Sequence, residues 1–168
     1  AKAFDANVII TAGSAEKCAF CRDLGADLTI NYQNEDFVKI VKDYTHQKGV
    51  DVVLDMVGGD YFPRNLKCLA PEGRLVQIAV LNGSKTELDL FSIMLKRINI
   101  TGSTLRARPD EFKGKLAQQI KQNIWPLLEK GKIKPIIHST FALSDAALAH
   151  QLMESGQHMG KIILQVQH

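Results

Sequence analysis

A lysine lies one helical turn after a glycine–serine pair near the start of the chain, and this spacing suits the binding of an anion. Gly13 and Ser14 follow the apolar run 7–12, which predicts a buried strand, and Lys17 falls in the first turn of a helix that Ser14 would cap. A helix N-terminus offers free backbone N–H groups and partial positive charge, to which the lysine adds a full charge. The pattern predicts a small anion site, although a capped surface helix with a solvated lysine would have the same sequence.

Tyr32 ends the next predicted strand, 27–32, and belongs to the same candidate site. In a doubly wound sheet this region binds the adenine ribose of a dinucleotide, where an acidic residue accepts from the ribose 2′-hydroxyl and positive charge accommodates a 2′-phosphate. The tip of the strand 7–12 is followed by Lys17 and carries no Asp or Glu. If the site binds a dinucleotide, these residues favour NADPH over NADH.

A second apolar run ends in two glycines. Residues 50–57 are rich in β-branched side chains and are bounded by Gly49 and by Gly58 and Gly59, which predicts a strand buried on both faces of a parallel sheet. Ligands of such sheets bind beyond the carboxyl ends of the strands, and glycines there let another molecule approach the backbone closely. Asp55, inside the run, would either be hydrogen-bonded near the strand end or face a site.

The other reactive residue types form no recognisable catalytic or metal-binding pattern. Cys18 and Cys21 make a C-x-x-C motif in the middle of a predicted helix, with Cys68 as the third cysteine, whereas zinc needs about four ligands. The five histidines are not paired with a nucleophile, and the sequence has no G-x-S-x-G motif. We therefore expect ordinary cysteines, no metal site and no hydrolase chemistry.

Composition limits the classes of protein to which the chain can belong. Its 168 residues suffice for one domain with a core, and a net charge of +3 suits an anionic ligand but is too small for a nucleic-acid-binding surface. No apolar run approaches the roughly 20 residues of a membrane-spanning helix. Three cysteines and the lack of a visible signal peptide predict a cytoplasmic protein without nucleic-acid or membrane partners.

Strands alternate with helices from residue 7 to about residue 130, which predicts an α/β fold with a Rossmann-like, doubly wound parallel sheet. From Pro135 onward the order of elements changes, and this part is expected to pack on something outside the sheet. The predicted strands are 7–12, 27–32, 50–57, 74–81, 98–105, 135–143 and 160–166. The predicted helices are 15–24, 35–45 capped by Asn34, 61–69, 88–96, a long helix after Pro109 that Pro126 interrupts, and 144–155 capped by Ser144.

The glycine-rich loop G-x-G-x-x-G of dinucleotide-binding folds is absent from the sequence. Residues 1–5 read as the last turn of a helix, followed at once by a strand. In a dinucleotide-binding fold the loop lies between the first strand and that helix. We therefore expect both the loop and the first strand to lie upstream of Ala1, in a longer protein.

Several separated motifs together resemble one family. The runs NVIITAGSAEKCAFCRDLGADLTINYQNEDF, GVDVVLDMVGGDYF and LAPEGRLVQIAVLNG, with the ending KIKPIIHSTFALSDAALAHQLMESGQHMGKIILQV, are similar to the quinone oxidoreductase branch of the zinc-free medium-chain dehydrogenases/reductases. The resemblance extends over essentially the whole chain. It implies transfer of hydride from NADPH to a quinone or a related activated alkene (an enone), without a metal.

The resemblance also implies where the cofactor would lie. Ser14, Lys17 and Tyr32 match residues that hold the adenosine 2′-phosphate, residues 57–59 would pass the adenosine ribose, and residues 78–81 would contact the nicotinamide half through their backbone. Residues 103–105 match a segment that hydrogen-bonds the carboxamide, and His158 stands where relatives often carry Asn. The expected cofactor contacts are Ser14, Lys17, Tyr32, Val57, Gly58, Gly59, Ile78, Ala79, Val80, Leu81, Ser103, Thr104, Leu105 and His158.

The family pattern further implies a division of the chain and a partner. Residues 1–125 would be a partial Rossmann domain, and residues 126–168 would return to a catalytic domain that is missing here and supplies most of the substrate pocket. A homodimer would form through the edge strand Ile98–Leu105. In the strand order 3-2-1-4-5-6 the missing first strand is central, so strands 8–12 and 52–57 would each lose a neighbour. Either these two strands would close up on each other, or another segment would fill the gap between them, or the upstream part of the chain was present and was removed.

No residue of the sequence is an evident acid or base, so no catalytic residue is named, and we expect the 168 residues alone not to catalyse. Two other functions stay open. One is a zinc-dependent alcohol dehydrogenase of the same superfamily, with most ligands upstream, and the other is a non-catalytic nucleotide-binding or dimerisation module. A methyltransferase on a similar sheet is disfavoured by the lysine beyond the strand 7–12.

Overall fold

The computed structural model describes residues 1–166 and has an α/β fold in which every strand pairing is parallel. The strands are β1 (Ile9–Ala12), β2 (Leu28–Asn31), β3 (Val50–Asp55), β4 (Leu69–Gln77), β5 (Asn99–Gly102), β6 (Ile137–Ala142) and β7 (Lys161–Gln165). The helices are α1 (Ala15–Asp23), α2 (Phe37–Tyr44), α3 (Tyr61–Cys68), α4 (Leu90–Lys96), α5 (Asp110–Asn123), α6 (Trp125–Glu129) and α7 (Ala146–Ser155). None of the helices in residues 1–166 has the combination of length and apolar character that crossing a bilayer requires.

The strands form three separate sheets with the orders β1-β2, β3-β4-β5 and β6-β7. Within residues 1–166, β1 and β3 have no backbone pairing with each other, and each is bonded on one side only. The break falls where the order 3-2-1-4-5-6 places its first strand. The expected loss of a neighbour by both strands is therefore confirmed, and among the described residues the two strands neither pair with each other nor receive another strand between them.

Side chains rather than backbone bonds hold the first two sheets together. One apolar cluster has its fully buried members in β2, α2 and α3, and half-buried residues of β1 and β3 pack against it. The cluster contains Ile30, Phe37, Val41 and Cys68 at its centre, with Ile9, Val50 and Tyr61 beside them. Burial of such side chains contributes about 1.5–3 kcal/mol each, so this cluster maintains the relative position of the two sheets.

A second cluster lies within the three-stranded sheet and fixes β4. Leu75 of β4 is completely buried, and it packs with Leu66 of α3, Leu69 at the start of β4 and Ile98. These residues pin α3 and the start of β5 to the middle strand of the sheet.

The expectation that residues 50–57 are buried on both faces is wrong. Val52 and Leu54 of β3 are 45% and 61% exposed, whereas Asp55 is 3% exposed. One face of β3 is open because no described helix covers it. Helix α5 makes its main contacts with α6, and its periodic apolar residue Phe112 is 43% exposed. The sequence pattern identified the strand correctly but not what covers it in this chain.

Several predicted boundaries also change. Asn34 is not the cap of α2, because the side chain of Asp36 accepts a hydrogen bond from the Val38 N–H at 3.0 Å. Ser144 is not the cap of α7, because a 3-10 turn, Leu143–Asp145, precedes that helix. The predicted break at Pro126 is confirmed, since this proline lies in the first turn of α6.

Strand β4 differs most from its predicted bounds. It includes residues 69–73, which precede the predicted strand 74–81, and its register against β3 shifts between Val50 and Val52, so residues 71–73 form an irregularity within the strand. The strand also ends at Gln77 rather than Leu81. Residues 78–81 therefore form a loop at its carboxyl end.

Candidate functional site

Ser14 caps α1 as the sequence predicts. Its Oγ accepts a hydrogen bond from the Lys17 backbone N–H at 3.2 Å, which satisfies one of the free donors of the first turn. The capping hydroxyl keeps the helix start just beyond the carboxyl end of β1. The remaining free N–H donors and the partial positive charge of the helix lie at this end of α1.

The Lys17 side chain reaches across to the C-terminal part of the chain, where its Nζ donates to the backbone carbonyl oxygen of Gly156. Gly156 ends α7 with φ +65°, and the turn that follows it faces α1. A cavity of about 390 Å³ opens between the two, with one cationic and one anionic side chain in its lining. The lining residues are Ser14, Glu16, Lys17, Gly156, Gln157 and Met159.

Tyr32 lies directly over Gly13. A Cβ atom at position 13 would be 2.8 Å from the Tyr32 Oη, so the ring occupies the space that a side chain at this position would need. The Tyr32 N–H donates to the Ala12 carbonyl at 3.1 Å, which fixes the backbone of Tyr32 at the end of β1. The structure thus brings Ser14, Lys17 and Tyr32 to one place, as their types and spacing indicated.

Tyr61 joins this group from the other sheet, and sequence reasoning missed it. Its ring lies 6.1 Å from the Tyr32 ring at an interplanar angle of 87°. The turn at Gly156 and the acidic Glu16 were missed as well. A contact between residues 17 and 156 leaves no local spacing signal, and Tyr61 reads in the sequence as an ordinary helix start.

Asp55 is hydrogen-bonded near the end of β3, which is the first of the two roles that its position in the apolar run allowed. Its Oδ1 accepts from the Val57 N–H at 2.7 Å and from the Gly58 N–H at 3.3 Å. Buried carboxylates need such donors. The carboxylate therefore shapes the turn after β3 instead of facing an open site.

The two glycines after β3 make room for the chain itself, so the expectation that they admit another molecule is corrected. Gly58 and Gly59 have φ of +70° and +52°, and Cβ atoms there would lie 2.6 Å from the Gly83 carbonyl oxygen and 2.4 Å from that of Asn82. The Gly59 N–H donates to the Gly83 carbonyl at 3.0 Å. The loop after β4 thus occupies the close approach that the missing side chains allow.

The remaining predicted contacts, apart from His158, gather at the carboxyl ends of β3, β4 and β5. The Leu81 N–H donates to the Met56 carbonyl at 3.1 Å, and the Ser103 N–H donates to the Gln77 carbonyl at 3.0 Å. Gln77 Nε2 in turn donates to the Ala79 carbonyl at 2.6 Å. Residues 57–59, 78–81 and 103–105 therefore lie together at this edge, and Tyr61, whose N–H donates to the Gly58 carbonyl at 3.1 Å, connects them to Tyr32.

His158 lies beside the turn that faces Lys17. Its ring is 6.4 Å from that of His138, and its Nδ1 is buried without a hydrogen-bond partner among the described residues. The Met159 N–H donates to the His138 Nδ1 at 3.4 Å. His158 is thus next to the Lys17 cavity without belonging to its lining.

The cysteines have the properties of ordinary thiols in and near the core. Cys18 and Cys68 are buried, and burial raises the pKa of Cys68 to about 11. The pKa of Cys21 is also raised, first by burial and then by the neighbouring Cys18. Across residues 1–166, no three His, Cys, Asp or Glu side chains come together as metal ligands, so the residues present do not fit a zinc site.

Comparison with known proteins identifies relatives over nearly the whole chain. Residues 24–164 match the family model described as zinc-binding dehydrogenase. A quinone oxidoreductase of Pseudomonas aeruginosa is 33% identical over 98% of this chain and 50% of its own length. A 2-haloacrylate reductase of a Burkholderia species is 30% identical over 98% of this chain and 49% of its own length. The chain spans about half the length of the curated relatives it matches.

Solved structures show the same relationship. The crystal structure of 2-haloacrylate reductase superposes with a TM-score of 0.80 at 30% identity, over 96% of this chain and 50% of that one. An NAD-dependent alcohol dehydrogenase gives 0.79 at 34% identity, over 99% of this chain and 46% of that one. The chain therefore belongs to the zinc-binding dehydrogenase family, within the medium-chain dehydrogenases/reductases that its motifs resemble.

Proposed function

We propose that this chain is the cofactor-binding portion of an NADPH-dependent oxidoreductase that reduces a quinone or a related activated alkene. The observation that carries the proposal is the joint placement of Ser14, Lys17 and Tyr32 beside the N-terminus of α1. A capped helix start, an ammonium group and a phenol are three kinds of donor for a phosphate. The names of the relatives, quinone oxidoreductase and 2-haloacrylate reductase, support the substrate class.

The proposed cofactor would lie along the carboxyl ends of the strands, as ligands do in this type of sheet. The Lys17 group would hold the adenosine 2′-phosphate, with Val57 along the ribose. Backbone groups of residues 78–81 and 103–105 would orient the nicotinamide end. When bound, the nicotinamide would supply a hydride, and the role of this chain would be to bind and orient it.

Among the 14 proposed contacts, the backbone of Gly58 and Gly59 is already covered by the loop after β4. We therefore assign these glycines an indirect role, in which they let residues 80–83 fold back over β3. His158 would contact the cofactor from its position beside the Lys17 cavity. No catalytic residue is assigned, and the 168 residues by themselves are expected to give no NADPH oxidation when a quinone is added.

The proposal is tested by the affinity of the chain for 2′,5′-ADP, which carries the 2′-phosphate, and for 5′-AMP, which lacks it. We expect tighter binding of 2′,5′-ADP and a loss of that preference of about tenfold or more in Lys17→Gln, since a hydrogen bond to a charged group contributes about 1.5–3 kcal/mol. Lys39→Gln removes the same charge from the exposed face of α2 and serves as the control. Equal affinities in the unaltered chain would contradict the proposal.

One observation favours a second candidate, a dehydrogenase that uses NADH. The carboxylate of Glu16 belongs to the same cavity lining as Lys17, and an acidic side chain near the adenine ribose accepts from its free 2′-hydroxyl. One of the structural relatives is an NAD-dependent alcohol dehydrogenase. In that case Glu16→Gln would weaken binding of 5′-AMP, whereas NADPH use predicts that the same change strengthens binding of 2′,5′-ADP.

The homodimer through Ile98–Leu105 is also proposed. Two observations support it. β5 pairs only with β4 among the described strands, and its four residues are all exposed. The neighbouring helix α4 exposes Leu90, Phe91, Met94 and Leu95 by 65–70% each. An open strand edge beside an exposed apolar patch is typical of a protein–protein contact surface.

A further inference from the structure

Tyr61, the first residue of α3, contacts Tyr32 across the break between the first two sheets. The two ring centroids are 6.1 Å apart and the planes meet at 87°, which is an edge-to-face arrangement. Such pairs are favoured by the charge distribution of aromatic rings and depend on their relative orientation. Tyr32 follows β2, and Tyr61 follows the glycines at the end of β3, so the contact links a residue of one sheet region to a residue of the other.

Phe37 and Arg64 also contact the Tyr61 ring. Phe37 of α2 stacks on it with centroids 5.7 Å apart and an interplanar angle of 18°. The Arg64 guanidinium lies 4.2 Å from the Phe37 centroid and 5.4 Å from that of Tyr61. Asp36 pairs with Arg64 at 3.5 Å. Tyr61 is therefore held by a packed set of side chains, one of which, Phe37, is in the core.

Tyr32 is less well held. It is 38% exposed, and among the residues that the structure describes no group hydrogen-bonds its hydroxyl. That hydroxyl lies over Gly13, 2.8 Å from the position a Cβ atom would take. The Tyr61 ring supplies an aromatic contact that favours this orientation of the Tyr32 side chain.

We propose that Tyr61 is a positioning residue for the 2′-phosphate site: its ring holds the Tyr32 hydroxyl over Gly13, next to the start of the helix that carries Lys17. This inference rests on the proposed function, because it assigns Tyr32 a phosphate as ligand. A hydroxyl must come within about 2.5–3.0 Å of a phosphate oxygen to bond it, and a ring free to leave its place would lose that bond. Selection of the 2′-phosphate thus depends on a residue beyond β3, in the other sheet region.

Three variants test the proposal through the ratio of the dissociation constants for 5′-AMP and 2′,5′-ADP. Tyr61→Leu removes the ring and is expected to lower this ratio by roughly three- to tenfold, the range of an aromatic pair. Tyr61→Phe keeps the ring and should keep the ratio. Phe62→Leu removes a ring from the next position of α3, which packs in the second cluster, and should lower stability without changing the ratio.

The unaltered chain offers a second measurement, which decides the question even if Tyr61→Leu does not fold. The sequence has three tyrosines, so selective ring labelling gives three sets of NMR signals. Addition of 2′,5′-ADP should shift the Tyr32 and Tyr61 signals together, and more than 5′-AMP does, whereas Tyr44 at the far end of α2 should stay unchanged.

The outcomes separate this inference from the proposed function. If the unaltered chain prefers 2′,5′-ADP and loses the preference in Lys17→Gln, but Tyr61→Leu keeps the ratio or Tyr61 does not shift with Tyr32, the positioning role is overturned and the phosphate site stands. If the unaltered chain shows no preference, the phosphate site fails and the positioning role fails with it.

Discussion

Gly13 shows how a single position can control the candidate site without taking part in binding. Its lack of a side chain is what lets the Tyr32 ring lie against the backbone beside Ser14. The need for glycine here comes from the space that Tyr32 occupies and not from a left-handed backbone, in contrast to Gly58 and Gly59. Residue 13 therefore determines where the phenol is.

We expect Gly13→Ala to reduce the preference for 2′,5′-ADP over 5′-AMP several-fold, because the new methyl group would lie 2.8 Å from the Tyr32 Oη and displace it. Calorimetric titration with both ligands measures the change. Gly114→Ala in α5 is the matched control: its Cβ meets nothing within 4 Å, so it should stabilise the helix by about 1 kcal/mol and leave the preference unchanged. An unchanged preference in Gly13→Ala would show that the ring position does not matter.

At the scale of elements, the core between the sheets gives a prediction for Cys68, at the end of α3. Burial raises the pKa of its thiol to about 11, against the opposing effect of Lys42 and Lys96. An unfolded cysteine ionises near pH 8.5. Above that pH the unfolded state releases a proton that the folded state keeps, so this contribution to stability is complete below pH ~8.5 and is lost as the pH rises toward 11.

The difference in unfolding free energy between the unaltered chain and Cys68→Ala should therefore shrink by about 3 kcal/mol between pH 8 and pH 11. Urea unfolding at several pH values measures it. The cavity left by the substitution costs the same at every pH, so the difference at pH 7 is the reference. A constant difference over this range would mean that the thiol ionises equally easily in both states.

The elements themselves were largely predictable, and the reasons are visible in particular residues. The apolar runs 7–12 and 50–57 identified β1 and β3, Ser14 identified the start of α1, and Pro126 identified the break between α5 and α6. Each of these signals is local. The predicted cap at Asn34 failed because Asp36, two residues later, is an equally suitable cap and is the one used.

Contacts between distant segments could not be predicted from the sequence. The loop at residues 82 and 83 folds back onto Gly58 and Gly59, and no local pattern predicts this. The exposure of β3 depends on which helices are present to cover it. The cavity at Lys17 is closed by a turn 139 positions later. The proximity of Ser14, Lys17 and Tyr32 could be predicted because all three follow neighbouring strands of one sheet.

At the scale of the whole molecule, assembly is the property most open to test. We expect the chain to dimerise through β5 and Ile100→Asp to shift it to a monomer, because a carboxylate at the contact would be buried without a partner. Ile163→Asp is the control, since Ile163 of β7 is 38% exposed against 41% for Ile100. Sedimentation velocity distinguishes the species. A dimer that persists in Ile100→Asp would exclude the β5 edge.

The break between β1 and β3 has a mechanical consequence. A continuous sheet resists bending because each strand is tied to the next by a row of backbone bonds, but within residues 1–166 the sheet β1-β2 and the sheet β3-β4-β5 are joined by side chains packed around Phe37 and Tyr61. Among the residues that the structure describes, side-chain packing therefore sets the distance between the anion cavity at Lys17 and the loops that follow β3 and β4.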